Sequence, residues 1–444
     1  MLISLLAYLY KISIQQNQVM NMNKTIKFID LFSGMGGIRL GLEQAAEELN
    51  IDAKCVFASD IKQAAQKIFA QNHPNEVLFG DITQINTKDI PDFDVLLSGF
   101  PCQPFSSSGK RLGFDDTRGT LFFEVARIIK EKQPYGIIME NVEGLVTHDK
   151  QNPKDEIGKT LQTILNVLED LGYFVTWKVL NSRYFGVAQE RKRIYIVGCK
   201  KHSISLDNFD KKEAMLNTVL ELGLPTVNTP FSQLLLKNYT TDQLIGKSIK
   251  DKRGGADNIH SWDIGYKGEI SAEQKNLMNQ IMKERRKKKW AEEYGIDWMD
   301  GMPLTFEQIQ TFAPFTNLKD MLDDLVKKGY LKMEHPKKKI GKLRVQDETL
   351  PIGYNIVAGK MSFEVGKILD PNDVTPTLVA TDMDRLYVVD GDGLRQLSTK
   401  EGLRLFGYPE NYKMDVGQKE AYDLLGNTVV VPVIKEIALR LLRE

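Results

Sequence analysis

The chain has 444 residues, enough for two or three domains at roughly 150 residues each. Apolar residues make up 42% and charged residues 27%, which excludes a disordered chain, collagen and a coiled coil. The 59 basic and 59 acidic residues cancel, so local charge must decide whether nucleic acid is a partner. Three cysteines exclude a disulfide scaffold and are typical of a reducing compartment.

Residues 1–23 precede the first patterned segment. Their apolar run, Leu2 to Tyr10, is far shorter than the ~20 residues that span a bilayer, and it lacks the flanks of a signal peptide. We expect a dispensable extension from an upstream start codon or, alternatively, a surface-docking helix. No later segment is apolar enough to be transmembrane, and we expect a cytoplasmic protein without a membrane partner.

From about residue 24 to residue 200, short apolar runs alternate with helical periodicity. The runs predict strands at 26–32, 55–60, 77–82, 94–100, 135–141 and 193–198, and the periodicity predicts helices at 38–49, 62–72 and 121–132. This alternation indicates an α/β fold with a mostly parallel, doubly wound, Rossmann-like sheet. Ligands of such sheets bind at the carboxyl ends of the strands.

The chain then changes character. Residues 201–380 are polar, irregular and rich in lysine, whereas 427–442 return to helical periodicity and are expected to rejoin the first domain. The basic runs 283–289 and 327–344 each fit a solvated face, but two of them in a neutral protein indicate a phosphate-contacting surface. Three tryptophans are expected in the core, with insertion into DNA as the alternative: Trp262, Trp290 and Trp298.

A glycine-rich turn, DLFSGMGGIRLGLE (30–43), joins the first strand to the first helix. Its glycines are Gly34, Gly36 and Gly37. This spacing is not G-x-G-x-x-G, which argues against a nicotinamide dehydrogenase. Asp60 and Asp81 end the next two strands, where a carboxylate can accept ribose hydroxyls or an adenine amino group; helix N-caps are the alternative. Together these features indicate an adenosine-containing cofactor.

A cysteine between two prolines stands out in GFPCQPFS (99–106). The prolines prevent helix and strand from continuing, so Cys102 is predicted to be a presented nucleophile, whereas Cys55 and Cys199 are expected to be small buried hydrophobes. Glu140 ends another strand and suits acid–base assistance. Alternate positions of QERKR put three side chains on one face, fit for a phosphate or a pyrimidine carbonyl: Gln189, Arg191 and Arg193.

In this order the motifs resemble those of the cytosine-5 DNA methyltransferases. The resemblance covers about 30–200 and 375–444 and rests on DLFSGMGG, ASD, GDI, GFPCQPFS, DTRGTLFFE, ENV, QERKR, RQLSTKEGLRLFGYPENY and GNTVVVPV. The family keeps its variable target-recognition domain between QERKR and PTLVAT (376–381). The implied domains are an extension (1–23), a catalytic cofactor-binding domain (24–200, completed by 418–444) and a target-recognition domain (201–417).

The resemblance implies S-adenosyl-L-methionine as the cofactor and no metal. Phe32 would lie against the adenine, Gly34 and Gly37 near the methionine part, Asp60 at the ribose and Asp81 at the adenine amino group. Asp60 stands where many family members carry Glu. The rest of the implied pocket is Ile61, Pro101, Leu121, Asn427 and Val429.

The resemblance also implies a mechanism. The family flips its target cytosine out of the duplex, which costs a few kcal/mol of unstacking. Cys102 would then add to C6, Glu140 would hydrogen-bond N3 and the exocyclic amine, Arg193 would contact O2, and Arg191 would help to place the phosphates and the thiolate. C5 takes the methyl group, a base removes the C5 proton, and the cysteine leaves.

The implied substrate is double-stranded DNA with a short specific sequence. The implied role is the modification enzyme of a restriction–modification system, with a possible cognate endonuclease, and we expect a monomer. Two alternatives stay open at this point: a transfer RNA cytosine-5 methyltransferase and a non-catalytic DNA-binding regulator. The large basic block favours duplex DNA, and the intact catalytic set argues against a regulator.

Overall fold

The structure of the protein is a computed structural model. It describes residues 25–101, 121–152, 154–296, 301–341, 343–358 and 363–443, so the predicted extension 1–23, Cys102 and Trp298 lie outside the described residues. Contacts between Cα atoms divide the chain into two compact units. Unit 1 is drawn from Met1–Leu220, Asn372–Met383 and Ser398–Glu444, and unit 2 from Glu221–Pro371 and Asp384–Leu397.

The strands are β1 Thr25–Leu31, β2 Asp52–Ser59, β3 Leu78–Phe79, β4 Val95–Ser98, β5 Gly136–Val142, β6 Phe174–Asn181, β7 Lys192–Cys199, β8 Ser248–Ile249, β9 Asn258–Ile259, β10 Leu331–Glu334, β11 Lys337–Ile340, β12 Leu343–Gln346, β13 Gly353–Ile356, β14 Lys367–Ile368, β15 Leu386–Asp390 and β16 Gly393–Gln396. The α-helices are α1 Gly37–Glu48, α2 Gln63–Asn72, α3 Leu121–Lys132, α4 Lys159–Asp170, α5 Pro230–Asn238, α6 Thr241–Leu244, α7 Ala272–Glu284, α8 Lys289–Glu293, α9 Phe306–Gln310, α10 Leu318–Lys327, α11 Thr399–Leu405, α12 Gln418–Asn427 and α13 Val431–Leu442.

A seven-stranded sheet in the order β3-β2-β1-β4-β5-β7-β6 forms the centre of unit 1. The first five strands in this order are parallel, and β7 runs antiparallel to both of its neighbours. The predicted mostly parallel α/β fold is therefore confirmed. The strand order reverses between β1 and β4, and this reversal opens a crevice at their carboxyl ends, where doubly wound folds bind ligands.

Helices cover both faces of this sheet. On one face, α3 and α4 turn apolar stripes such as Val125, Ile129 and Leu161 onto the buried strand residues. On the other face, α13 from the C-terminal segment packs directly on α1. A Cβ at Gly41 would come within 2.5 Å of Ile434, so the absence of a side chain allows the two helices to approach.

Unit 2 contains a five-stranded sheet in the order β16-β15-β14-β8-β9 and two hairpin pairs, β10 with β13 and β11 with β12. Its larger core lies among α7, α8, α10 and β13. Trp262 and Trp290 are buried there, which confirms core packing for these two tryptophans. Across the described ranges of both units, no helix is long and apolar enough to cross a membrane.

Candidate active site

The carboxyl ends of the central strands of unit 1 border a cavity of about 550 Å³. The structure brings the following predicted site residues together as its lining: Phe32, Gly34, Gly37, Asp60, Ile61, Asp81, Pro101, Leu121, Glu140, Arg191, Arg193, Asn427 and Val429. Cys102 follows Pro101 in the chain but is outside the described part of it. Gln189 is fully buried elsewhere: it donates to the Leu405 carbonyl and accepts from the Leu378 amide.

The glycine-rich turn is a tight left-handed bend between β1 and α1. Phe32, Gly34 and Gly36 all have positive φ, at 56°, 53° and 70°. Such a φ is unfavourable for a side chain like that of Phe32 and is found mostly where function requires it. The Gly36 amide donates to the Ser33 carbonyl at 2.7 Å, which closes the bend.

Asp60 holds this turn in place. One carboxylate oxygen accepts from the Gly34 amide at 2.8 Å, and the other accepts from the Lys62 amide at 2.7 Å. An ionised carboxylate offers about four lone-pair positions, so two remain for hydroxyl groups of a ligand. The same side chain can therefore shape the glycine turn and accept the hydroxyls of a ribose.

Asp81 is the N-cap of a short helical turn, one of the two alternatives that its sequence position allows. It caps the short 3₁₀ turn Ile82–Gln84, with Oδ1 accepting from the Thr83 amide at 2.9 Å and from the Thr83 hydroxyl at 2.8 Å. The residue also lines the cavity and is exposed. Its other carboxylate oxygen is thus available to an amino group of a bound ligand.

Gly37 begins α1 in a space with no room for a side chain. A Cβ there would lie 2.7 Å from the Tyr408 hydroxyl and 2.8 Å from a methyl group of Val429. The Tyr408 hydroxyl is held by Thr428 Oγ1 at 2.6 Å. Tyr408, Thr428 and Val429 come from the C-terminal segment, so that segment supplies one wall of the cavity against the helix N-terminus.

Glu140 and Arg193 form an ion pair at the floor of the cavity. Arg193 Nε lies 3.1 Å from Glu140 Oε1, and both side chains are nearly buried. The ladder between β5 and β7 explains the pair: Val142 is opposite Arg193, and Glu140 lies two residues along on the same face. Burial raises the pKa of Glu140 above its usual value, although Arg193 and Arg191 oppose this rise. The carboxyl group therefore keeps a proton to higher pH than an exposed glutamate.

The sequence predicts that Arg191 helps to place the phosphates and the thiolate, and the structure shows which backbone groups hold its side chain. Its guanidinium is 3% exposed and donates to the backbone carbonyls of Leu378 at 2.8 Å, Gly426 at 3.1 Å and Thr428 at 2.8 Å. Arg191 thus ties two distant chain segments to the start of β7. In this arrangement it positions the cavity wall.

Two further residues were not singled out from the sequence. Asn141, within the ENV motif, donates to the Phe100 carbonyl at 2.8 Å and so holds the loop that leads to Pro101 and Cys102. Lys62, which lines the cavity, forms an ion pair with Asp423 of α12. The Asn141 role was signalled by its place beside Glu140; the Lys62 pair joins residues too far apart in the chain for a sequence pattern to reveal.

The lining suits an adenosine-containing cofactor. Ile61 is apolar yet 70% exposed, so a flat apolar group such as adenine has a surface to cover. Asp60 and Asp81 provide acceptors for hydroxyl and amino groups, and the backbone of the glycine turn can approach a ligand closely. The cavity therefore offers hydrogen-bond partners to the polar groups of a ligand that would be buried in it.

Comparison with known proteins agrees with this geometry. The family model for C-5 cytosine-specific DNA methylase matches residues 26–443. The chain is 61% identical over 417 residues to type II methyltransferase M.NlaIV of Neisseria lactamica and 60% identical over 417 residues to M.NgoBV of Neisseria gonorrhoeae. Each alignment covers 94% of this chain and 99% of the relative.

A solved structure shares the fold. The crystal structure of S. pombe Dnmt2 methyltransferase matches with a TM-score of 0.52 at 17% identity, covering 94% of this chain and 98% of that chain. The family match spans nearly the whole chain, and the relatives are more than half identical to it. The chain therefore belongs to the C-5 cytosine-specific DNA methylase family: it is a DNA (cytosine-5-)-methyltransferase with S-adenosyl-L-methionine as its cofactor.

Proposed function

We propose that the enzyme methylates C5 of a cytosine extruded from a short specific sequence of double-stranded DNA, through a covalent bond between Cys102 and C6. One observation carries this proposal. The buried Glu140–Arg193 pair lies on the floor of a cavity that also includes Pro101, the residue before Cys102. An acid and a cation thus line the same cavity as the residue that precedes the proposed nucleophile.

The chemistry requires each of these groups. S-adenosyl-L-methionine supplies the methyl group, and C5 of free cytosine is too poor a nucleophile to accept it. Attack by the Cys102 thiolate forms an S–C6 bond and moves electron density toward N3 and C5, while Glu140 gives its proton to N3. After C5 has received the methyl group, a base removes the C5 proton, the S–C6 bond breaks to return the thiolate, and N3 gives its proton back to Glu140.

The surrounding residues hold the two substrates. Arg193 is assigned to the O2 carbonyl of the cytosine, because it lines the cavity beside Glu140, with which it is paired. Asp60 is assigned to the ribose of the cofactor, Asp81 to its adenine amino group, and Ile61 to the adenine face. Arg191 is assigned a positioning role, because both of its terminal nitrogens bond backbone carbonyls.

We assign target recognition to unit 2, which lies within the range 201–417 predicted from the sequence, and place the enzyme in a restriction–modification system. The relatives at 61% and 60% identity are type II methyltransferases, which supports this role. The rest of the proposal is a cytoplasmic monomer that acts on duplex DNA. A cognate endonuclease would be a functional partner of the enzyme; physical association is not required.

Methyl transfer to nucleic acid tests the proposal directly. Labelled cofactor is offered with unmethylated duplex DNA and, in parallel, with transfer RNA, and modified cytosines are located by bisulfite sequencing. We expect label at the cytosine of one short motif in DNA and none with Cys102→Ala. Label confined to RNA would reject the DNA substrate, and label in neither nucleic acid would favour a non-catalytic DNA-binding protein.

A duplex with 5-fluorocytosine at the target position tests the covalent step. Fluorine cannot leave C5 as a proton does, so the S–C6 bond should persist and give a denaturant-resistant complex. The complex should be absent with Cys102→Ala. If wild-type enzyme methylates DNA but forms no such complex, the Cys102 adduct is wrong even though the reaction is right.

A further inference from the structure

The hairpin of β11 and β12 is a two-stranded ribbon with no buried face. Seven of its eight strand residues are exposed and one is half-buried, and none belongs to the buried core residues of unit 2. The ladder is regular, from Lys337 opposite Gln346 to Ile340 opposite Leu343. At its base, the Asp347 amide donates to the Pro336 carbonyl at 2.8 Å. The ribbon is therefore anchored at one end and open to solvent along its length.

The two faces of the ribbon differ in chemistry. Because opposed residues share a face, one face is polar and cationic: Lys337, Lys339, Arg344 and Gln346. The other carries Lys338 and three apolar side chains: Ile340, Leu343 and Val345. These apolar side chains are 56%, 70% and 45% exposed. An isolated two-stranded hairpin is only marginally stable in water, so a partner that covers both faces would stabilise it.

Ion pairs neutralise much of the basic run that leads into the ribbon. Lys332 lies 2.6 Å and Lys337 3.8 Å from Glu334, and Lys338 lies 3.1 Å from Asp347. Lys339 and Arg344 are directly opposed and have no ion pair within the described part of the chain. The cationic face is thus concentrated at this opposed pair.

We propose that the ribbon enters the major groove of the DNA substrate, with Lys339 contacting phosphate and Arg344 reading the edge of a guanine. This proposal rests on the proposed function, because it requires a duplex substrate. The major groove is about 12 Å wide and admits a two-stranded ribbon, and Arg paired in two bonds with guanine O6 and N7 is the commonest specific contact there. Exposed apolar side chains near the turn suit the methyl group of thymine.

Charge selects DNA over a second copy of the chain. Two ribbons meeting through their cationic faces would bring Lys339 and Arg344 of each copy together, and like charges oppose such contact. The DNA backbone carries one negative charge per about 1.7 Å of helix axis, and contact with it releases counterions. The cationic face is therefore complementary to DNA and repels the same face of a second copy of the chain.

Binding measured against salt concentration tests the phosphate contact. Each neutralised phosphate contributes about 0.9 to the slope of log K on log salt, so K339Q with R344Q, which removes the one proposed phosphate contact, should lower the slope by about one. The matched control is K88Q with K159Q, two exposed lysines of unit 1. The control should keep the parent slope. An equal slope in the ribbon double variant and the parent overturns the proposal.

Arg344→Lys tests base reading separately. Lysine keeps the charge but not the two-bond fork, so the salt slope should stay while discrimination against a changed base pair falls about tenfold. Unchanged discrimination at every position of the site overturns base reading by this ribbon. If the parent enzyme fails to methylate DNA, the proposed function fails; if the parent methylates DNA and the ribbon variants match the control, only the ribbon proposal fails.

Lysine acetylation footprinting gives a second measurement that needs no variant. Lys339 should be protected by the cognate duplex, whereas Lys159 should react equally with and without DNA. Equal reactivity of Lys339 in both states overturns groove entry. A dimer that is dissolved by I340S with L343S, together with a reactive Lys339 in the DNA complex, would assign the ribbon to a second copy and also overturn it.

Discussion

The cavity of unit 1 and the ribbon of unit 2 both present arginine, but they hold it in opposite ways. Arg191 is buried with three carbonyl acceptors, and Arg193 is held by Glu140, whereas Arg344 is exposed with no bonded partner among the residues described. Chemistry benefits from groups that are in place before the substrate arrives. Ordering a long side chain on binding costs about 0.5–1.5 kcal/mol. This cost only weakens binding at the ribbon, whereas in the cavity it would add to the barrier of the reaction.

Glu140→Gln should reduce activity more than any other predicted change that leaves Cys102 in place. A small effect would contradict the view that the cavity depends on side chains held in place before the substrate binds. Loss of a positioned acid should lower the rate of methyl transfer by about 100- to 1,000-fold while cofactor affinity is retained. Because burial raises the pKa of Glu140, the acid form persists upward in pH, and the wild-type rate should fall on the alkaline side as it ionises. Single-turnover rates over a pH series check this. An alkaline fall that survives in the variant would contradict the role.

Arg191→Met should act on stability. Three buried carbonyls would lose their donor, at about 1–3 kcal/mol for a group left fully unsatisfied, so we expect a loss of roughly 3 kcal/mol or more in urea unfolding. Arg193→Met is the matched control: it removes the partner of Glu140 and should reduce activity more than stability. Equal losses of stability in the two variants would contradict the assignment of a structural role to Arg191 and a chemical role to Arg193.

Asp30→Asn should raise stability at neutral pH. Asp30 is 1% exposed on β1 just before the glycine turn, both oxygens lack hydrogen-bond partners, and burial raises the pKa to about 8. Between pH 4 and 8 the folded chain keeps a proton that the unfolded chain releases, so wild-type stability falls as pH rises through this window. The variant should escape this fall, by on the order of 4 kcal/mol between pH 5 and pH 8.

Urea unfolding of wild type and variant at several pH values measures the Asp30 effect. The control is Glu47→Gln, an exposed carboxylate on α1. A constant difference between Asp30→Asn and wild type across the pH series would mean that Asp30 does not carry its proton in the folded protein.

Asp423→Asn should have the smallest effect. Lys62 lines the cavity, but its ion pair with Asp423 is about half exposed, and such pairs contribute about 0–1 kcal/mol. Cofactor dissociation should therefore speed up by no more than about fivefold, as measured by stopped-flow release. Glu420→Gln breaks the neighbouring Lys67 pair and should leave the rate unchanged. Equal rates of cofactor dissociation in both variants would show that the Lys62–Asp423 pair does not slow cofactor release.

Most of the sheet in unit 1 could be predicted from sequence because its strands are short apolar runs. Six of its seven strands were anticipated; β6 was not, since FVTWKVLN mixes polar and apolar residues and is mostly half-buried. Unit 2 was expected to be irregular, yet α7 has a capping box at Ser271 and α10 a clear apolar stripe, signals that were present in the sequence. The core of unit 2 is built from segments that do not alternate between strand and helix, so the sequence pattern did not predict this core.

The candidate site was largely foreseeable, because the motifs sit at strand ends that a parallel sheet brings to one edge. What the sequence could not reveal was how each side chain is bonded. Arg191 reaches carbonyls 187 and more residues away, and Arg285 of the first basic run turns inward to Asn355 at 2.5 Å. Such partners depend on tertiary packing, for which neither spacing nor local charge carries a signal.

The ladder between β5 and β7 has a consequence for how the enzyme tolerates insertions. Glu140 lies near the end of β5 and Arg193 near the start of β7, and the two strands are antiparallel. Arg193 is diagonal to Glu140 only because of the register between these strands. One residue inserted between Ser182 and Lys192, with β6 unchanged, could slip that register and turn the guanidinium to the opposite face. Loop length on this edge should therefore vary far less among working enzymes than loop length around the exposed ribbon.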